Sequence, residues 1–402
     1  MKILLSAYAC EPNKGSEPGV GWNWAVNLTK LGHDVTVLTR KNNKSSINKM
    51  IKKNKLKSIK FEYYDLPNWL IFIKKKCNFF IIIYYYLWQY FSYLEYKEKV
   101  FKYDIIHHLT FGTLRVPSFF WKTKIPLIYG PVGGVETTPL FLIKDMKLKH
   151  KIKEYSRYLI NFLQIKFDFN LKKCLKNSNF VFARTLESKN YMKKITAKKI
   201  PIIHDVGCDK IYHKKKKFKK ITNFLFAGRH VYFKGGELII LAFSKALQKN
   251  KNIRLNFVGD GPEKNKWRSL SISLKLEKYI KFYSWMSKEK MIDLYQNNDV
   301  LIFPSFHETG GSVVNEAMSY SLPIICFNLG GPNVRVDSTN GVLINVKKKN
   351  LSKIIIVNKI KNAIMQLSKD RNKIQKLSNG AFSKSKKFRW YRLIGNTYKY
   401  IN

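Results

Sequence analysis

The sequence predicts an α/β protein built from two doubly wound parallel-sheet domains that face a cleft. Its 402 residues suggest two domains, at about 100–200 residues per domain. In both halves, short apolar runs alternate with longer helical or polar stretches, which favours parallel sheets covered by helices. A polar, lysine-rich stretch separates the two sets of runs and is typical of a linker. Ligands are expected where the carboxyl ends of the strands meet the cleft.

The predicted strands are short apolar runs rich in β-branched and aromatic residues. In the first half they cover residues 3–8, 35–39, 59–63, 105–109, 126–129, 180–183 and 200–203. In the second half they cover residues 223–227, 254–258, 280–283, 300–303, 323–327 and 342–344. We therefore expect an N-terminal domain over 1–209, a linker over 210–220, a C-terminal domain over 221–383 and a final aromatic-rich helix over 384–402.

The chain is strongly basic, with 75 Lys+Arg against 26 Asp+Glu and a formal charge of +49. Such a charge favours an anionic partner, whether nucleic acid, an acidic membrane face or a phosphorylated substrate. The alternative is compositional background, because Lys, Asn, Ile, Tyr and Phe are all plentiful together. The basic runs have no RNP-type aromatic pattern, zinc finger or basic zipper beside them, so no nucleic-acid partner is expected.

The cysteines and the N-terminus point to a cytoplasmic location. Five cysteines are far apart and show no C-x-x-C spacing, which fits reduced thiols and implies no zinc site. The first apolar run is too short for a secretory signal and is interpreted as a buried strand.

One segment resembles a membrane element. The run from Cys77 to Leu94 carries no charge but is interrupted by polar residues and is rich in Tyr and Trp, so a span is disfavoured. Aromatic residues beside the lysines at 74–76 suit a helix lying on a membrane surface. Packing within its own domain is an equal alternative for this segment, residues 70–99.

The most informative stretch runs from Pro304 to Met318. A predicted strand leads into a small polar turn and then a helix, so we expect the amides of Gly310, Gly311 and Ser312 to point toward the cleft as an anion site. Glu308 precedes this helix and Glu316 lies one to two turns into it. The two carboxylates are therefore expected to contact different parts of one ligand.

A second cluster follows the first strand of the second half. Arg229 and Lys234 lie five positions apart on a glycine-flanked loop. Together they suit a diphosphate, which Arg binds by forked hydrogen bonds and Lys as a point charge.

These residues resemble a known family. The Arg229 and Lys234 pair gives R-x4-K, and Glu308 and Glu316 give E-x7-E; the stretches at 258–262, 320–325 and 330–331 follow in matching order. The set is similar to the retaining group 1 (family 4) glycosyltransferases, of the GT-B type with two Rossmann-like domains. Weaker matches in the first half extend the resemblance to essentially the whole chain, at residues 15–22, 32–35, 104–108 and 130–134.

The resemblance implies a nucleotide-diphosphate sugar as donor substrate, with no cofactor and no metal. Arg229 and Lys234 would bind the diphosphate, Glu316 the ribose and Glu308 the sugar, beside the amides of residues 310–312. Transfer would retain the anomeric configuration by same-face attack. The first domain would bind the acceptor, and the last helix would cross back onto it.

In the first domain, Gly15 and Ser16 at the first strand-to-helix turn would bring backbone toward the donor. Gly19 and Gly21 serve the same turn or permit close helix packing. His107 and His108 are candidate catalytic residues, although the family usually carries H-x-H here. Successive strand residues point to opposite faces, so one of the two is expected to reach the cleft.

The sequence thus predicts a retaining glycosyltransferase that acts on a glycan or lipid-linked acceptor in surface polysaccharide or lipopolysaccharide biosynthesis. It is expected in the cytoplasm, peripheral on the inner face of the cytoplasmic membrane. A nucleotide-sugar epimerase, a phosphorylase or another GT-B enzyme is the alternative, followed by a basic nucleic-acid-binding protein.

Overall fold

The computed structural model describes residues 1–54, 58–77, 80–212, 220–347 and 351–401. These form two compact units. The first consists of Met1–Glu136, Arg157–Gly207 and Trp390–Asn402, and the second of Thr137–Ser156 and Cys208–Arg389. Residues 213–219 of the predicted linker lie outside the described residues.

The first unit holds a six-stranded parallel sheet in the order β3-β2-β1-β4-β5-β6. Its strands are β1 (Lys2–Ala7), β2 (Asp34–Thr39), β3 (Ile59–Tyr63), β4 (Ile105–Thr110), β5 (Leu127–Val132) and β6 (Phe180–Ala183).

The second unit repeats this topology with a parallel sheet in the order β12-β11-β10-β7-β8-β9. Its strands are β7 (Thr222–Ala227), β8 (Ile253–Val258), β9 (Ile280–Tyr283), β10 (Val300–Phe303), β11 (Ile324–Phe327) and β12 (Gly341–Ile344). The predicted class, two doubly wound α/β sheets, is confirmed. The central strands β4 and β10 are buried along their whole length. Burial on both faces explains why β10 appears as a continuous apolar run, whereas β4 also contains His107 and His108.

Helices connect the strands of both sheets. They are α1 (Ser16–Lys30), α2 (Lys44–Asn54), α3 (Asn68–Lys76), α4 (Phe80–Tyr96), α5 (Leu140–Lys144), α6 (Leu148–Phe167), α7 (Phe169–Asn177), α8 (Leu186–Lys193), α9 (Gly236–Leu247), α10 (Lys264–Ser273), α11 (Lys288–Asn297), α12 (Ser312–Ser319), α13 (Gly330–Asn333), α14 (Lys353–Lys369), α15 (Arg371–Ser385) and α16 (Trp390–Tyr398). Several begin at a side chain that accepts from a free amide of the first turn. These N-caps are Asp168, Thr185, Ser287, Ser352 and Asp370.

Residues 200–203, predicted as a strand, form only an isolated bridge between Ile202 and Ala183. The Ala183 amide donates to the Pro201 carbonyl, and the Ile203 amide donates to the Ala183 carbonyl. Because Pro201 has no N–H of its own, the ladder stops there. This strand prediction was wrong.

Helix α4 packs within the first unit. Tyr84, Tyr85 and Trp88 are buried against the sheet, while the opposite face exposes apolar residues such as Ile83 and Leu94. Residues 78–79 of the predicted membrane-like run lie outside the described residues. None of the helices in the described part of the chain is long and apolar enough to cross a membrane.

The glycines of α1 permit close packing. A Cβ at Gly19 would lie 2.0 Å from the Lys14 carbonyl oxygen, and one at Gly21 would lie 2.3 Å from that of Ala9. Gly15 differs, because a Cβ there would meet no atom within 4 Å.

We therefore expect Gly21→Ala to lower the free energy of unfolding by about 1–3 kcal/mol, since the backbone of Ala9 has to move. Gly15→Ala is the matched control: its Cβ meets no atom, and it loses only the preference of an N-cap for glycine over alanine, so we expect the smaller loss of the two. Urea unfolding of both variants measures the difference, and equal stabilities would contradict the packing role of Gly21.

Candidate functional site in the second unit

The order of the second sheet creates a crevice beside β7 and β10. These strands are neighbours, but the chain leaves them in opposite directions, toward β8 and toward β11. Ligands of doubly wound sheets bind at such a point, outside the carboxyl ends of the strands. The two loops that follow β7 and β10 touch, because the Phe306 amide donates to the Phe233 carbonyl at 2.8 Å.

Lys234 and Glu308 form an ion pair across these two loops. Both side chains are largely buried, with 14% and 16% of their surface exposed. The second oxygen of Glu308 accepts the Gly311 amide at 3.0 Å, and Lys234 Nζ lies 4.7 Å from the centre of the Phe303 ring. The structure thus brings together two residues that the sequence places 74 positions apart.

The backbone of Glu308 is held by the two glycines that begin α13. The Gly331 amide donates to the Glu308 carbonyl at 2.6 Å. A Cβ at Gly330 would lie 2.1 Å from the same oxygen, and Gly330 has a φ of +55°, which favours glycine. Any side chain here would push the loop and its carboxylate away.

Arg229 lies on the loop after β7 and is exposed. Within the described residues its guanidinium has no ion-pair partner. The turn after β8 holds this loop in place, because the His230 amide donates to the Asp260 carbonyl at 2.8 Å. A Cβ at Gly259 would lie 2.0 Å from the Gly228 carbonyl. The turn at 259–262, matched in the sequence, thus supports the loop that carries Arg229.

The helix expected after β10 is α12, which begins at Ser312. Gly311 is its N-cap with a φ of +64°, and its amide, expected to point toward a ligand, donates to Glu308. Glu316 lies one turn into α12 and accepts from the Tyr295 hydroxyl at 2.9 Å. Desolvation by the surrounding atoms raises the pKa of Glu316, although the residue keeps an exposed surface.

Sequence reasoning missed a buried carboxylate at this site. Glu154 lies on α6 and is fully buried. Its Oε1 binds His307 Nε2 at 3.1 Å and accepts from the Tyr232 hydroxyl. Tyr232 lies on the loop after β7 and His307 on the loop after β10. The His307 ring stacks on Phe233, with the ring centres 4.3 Å apart. Glu154 therefore ties together the loops that carry Lys234 and Glu308.

The ionisation of Glu154 follows from these contacts. Burial alone would raise the pKa of Glu154, but hydrogen bonds from His307, Tyr232 and Thr138 and the charge of His307 outweigh burial and lower the pKa to about 2. No motif marks Glu154 in the sequence. The available signal is that it is the one acidic residue in a helix with many lysines.

Glu154 gives a pH-dependent stability. A pKa held below the ordinary 4.5 stabilises the folded state above pH 4.5, and this contribution is lost as the pH falls toward 2. Between pH 4.5 and pH 2, we expect the free energy of unfolding to fall less steeply in Glu154→Gln than in the wild type. Over this range the two losses should differ by at most about 3 kcal/mol. Urea unfolding at several pH values measures it. The exposed Glu277→Gln should keep the wild-type profile, and an identical slope in Glu154→Gln would contradict the assignment.

In the first unit, the corresponding turn after β1 holds an ion network. Arg184 is buried and binds Glu17 at 2.8 Å and Asp205 at 3.0 Å. Burial opposes the charge of Arg184, but the two carboxylates outweigh it and raise its pKa. Ser16 has a φ of +56°, a left-handed conformation that costs energy in a residue other than glycine. Gly15, the N-cap of α1, has an ordinary φ of −84°.

His107 and His108 are both fully buried in β4. His107 binds the Gly130 carbonyl at 2.7 Å and the Tyr398 hydroxyl at 2.9 Å, and His108 lies 3.3 Å from the Tyr85 hydroxyl. Burial lowers the pKa of His107 to about 4 and, with the charges of His107 and Arg184, that of His108 to about 3. Both rings are therefore neutral near pH 7, and their catalytic role stays a prediction.

No group of three or more His, Cys, Asp or Glu side chains able to hold a metal ion occurs within residues 1–54, 58–77, 80–212, 220–347 and 351–401.

Residues 209–384 match the family model described as glycosyl transferases group 1. This match confirms, for residues 209–384, the resemblance to the group 1 glycosyl transferases that the sequence motifs predicted.

Curated relatives match parts of the chain. An uncharacterized glycosyltransferase of Methanocaldococcus jannaschii is 32% identical over 27% of this chain and 27% of its own length. An uncharacterized 41.2 kDa protein in the cps region of Klebsiella pneumoniae is 25% identical over 63% of this chain and 68% of its own length. The chain spans 27–30% of the length of the first curated relatives that it matches.

Among solved structures, Anabaena HepE in complex with UDP is similar over 100% of this chain and 99% of its own, with a TM-score of 0.65 and 16% identity. This likeness shows a shared fold.

Proposed function

We propose that this protein is a retaining glycosyltransferase that moves a sugar from a nucleotide-diphosphate sugar to a glycan or lipid-linked acceptor. The observation that carries the proposal is the Lys234–Glu308 ion pair at the strand-order reversal of the second sheet. It lies within a domain of the group 1 glycosyl transferases. The Methanocaldococcus relative that bears the name glycosyltransferase supports the same activity.

The donor is bound by the second unit. Arg229 is exposed for a forked contact with the diphosphate, and Lys234 follows five positions later on the same loop. Their positive charge offsets the negative charge that grows on the leaving diphosphate, so the departure of the diphosphate needs no metal ion. UDP in the complex of HepE supports a nucleotide diphosphate as the bound group.

The two carboxylates have separate tasks. Glu308, whose carboxylate accepts the Gly311 amide, binds the hydroxyls of the donor sugar, and Glu316 accepts from the ribose. When the diphosphate binds, Lys234 exchanges part of its contact with Glu308 for a phosphate oxygen. The acceptor hydroxyl attacks from the face that the diphosphate leaves, and a departing phosphate oxygen takes its proton, which retains the anomeric configuration.

The acceptor belongs to surface polysaccharide or lipopolysaccharide synthesis and is used at the inner face of the cytoplasmic membrane. Two observations support this part: the basic and aromatic segment at 70–99, and the relative in a cps region. The backbone of Gly15 and Ser16, in the first unit, is proposed to bind the donor phosphates or the acceptor.

We expect Lys234→Ala and Glu316→Ala to lower sugar transfer by about 10²–10³-fold, since each removes a charge from the donor site. Glu316→Ala should unfold near the wild-type temperature. Lys234→Ala should unfold at a lower temperature, because it leaves the largely buried Glu308 without its cation, so transfer is measured below the melting temperatures of all variants. Lys249→Ala and Glu277→Ala, exposed residues of the same unit, are the matched controls. Transfer is measured with radiolabelled donor and a membrane extract as acceptor. Near-normal transfer by Lys234→Ala and Glu316→Ala would refute the assignment.

A thermal-shift screen of nucleotide diphosphates and their sugars tests donor binding directly, because a ligand that binds only the folded state raises the melting temperature. We expect a shift with at least one nucleotide diphosphate, and a smaller shift in Lys234→Ala. Incubating the shifting sugar nucleotide without acceptor separates the alternatives, since an epimerised donor as main product would favour an epimerase. No shift with any compound would contradict a sugar-nucleotide site.

A further inference from the structure

Helix α6 has its polar side toward the protein and its apolar side toward the outside. The exposed stripe is repeated at the helical period, and its members are 41–72% exposed: Leu148, Ile152, Tyr155, Leu159, Phe162 and Leu163. A helix on the surface of a globular protein normally shows the opposite arrangement. The stripe thus needs a partner other than the body of the protein.

The inward side of α6 is held by hydrogen bonds. Glu154 binds His307 and Tyr232 within the second unit. In the first unit, the Asn161 amide donates to the Val135 carbonyl at 2.8 Å, and Gln164 donates to the Leu114 carbonyl. These contacts fix the rotation of the helix, so the apolar stripe remains directed outward.

Within α6, the charged residues that border the stripe are all lysines. By helical position, Lys149 and Lys153 lie along one side of it, Lys151 along the other, and Lys166 near its C-terminal end. The only acidic residue of α6, Glu154, is buried. An apolar stripe bordered by lysines is the pattern of a helix that lies in the interface of an anionic bilayer.

We propose that the outer face of α6 is a membrane-docking surface that binds anionic lipid bilayers. The apolar stripe enters the boundary of the acyl chains while the lysines contact the lipid phosphates. Docking at a bilayer would give the enzyme access to a lipid-linked acceptor. This role of the surface rests on the proposed function, whereas bilayer binding itself does not.

Other occupants fit the surface less well. A second copy packed symmetrically on this face would bring the lysine borders of both copies together, and like charges at an interface are costly. A nucleic acid would satisfy the lysines but leave the stripe of Leu, Ile and Phe in water. An anionic bilayer satisfies both features.

The test is co-sedimentation of the full chain with vesicles of phosphatidylcholine, either alone or with phosphatidylglycerol. We expect binding to the anionic vesicles and at least about tenfold weaker binding of the variant Ile152→Glu/Leu159→Glu/Phe162→Glu. The matched control is Ile272→Glu/Ile354→Glu, which places acids at equally exposed apolar sites of α10 and α14. It should bind vesicles as the wild type does.

Replacing the four lysines by glutamine should reduce binding to anionic vesicles to the level seen with phosphatidylcholine alone. A nucleotide thermal shift on each variant shows that the donor site is intact, so failure of docking and failure of the proposed function are distinguishable. Unchanged vesicle binding by the α6 variant would overturn the proposal. So would loss of binding only in Trp69→Glu/Phe72→Glu on α3, or a wild-type dimer without vesicle binding that the α6 variant dissociates.

Discussion

Glu308 holds the candidate site of the second unit together. Its carboxylate binds Lys234 and the Gly311 amide, and its carbonyl accepts the Gly331 amide. A largely buried carboxylate is stable only when it is paired and hydrogen-bonded. Three loops, after β7, β10 and β11, are therefore held at one point by the need to satisfy a single residue. The close approach of Gly330 allows this, since any side chain there would collide with the Glu308 carbonyl.

The second constraint is the buried charge of Glu154. It comes from a segment, Thr137–Ser156, that lies in the first half of the sequence but packs with the second unit. Removing this carboxylate would leave Tyr232 and His307 without their common partner, and a half-satisfied polar network is costly. The same helix then exposes its apolar side because its polar residues are used inward. Site geometry and the membrane-docking surface thus depend on one rotation of α6.

Much of the fold follows from the sequence. Short apolar runs such as β10 indicate buried parallel strands, and the alternation of such runs with helices gives the two doubly wound sheets. The exception, residues 200–203, has the composition of a strand, but Pro201 cannot donate to a ladder. The resemblance of residues 209–384 to the group 1 glycosyl transferases was also predictable. Arg229, Lys234, Glu308 and their glycines lie within short stretches that local turns bring to strand ends.

The sequence by itself determined the fold class and the identity of the charged residues at the strand ends, because both are encoded by local periodicity and spacing. Only the tertiary structure decided the partners of these residues. Lys234 and Glu308 are distant in the chain, and their pairing depends on β7 lying beside β10. Burial of His107 and His108, and the network of Arg184 with Glu17 and Asp205, depend likewise on packing between remote segments. Such contacts have no local signature, since desolvation and charge pairing are properties of the folded surroundings.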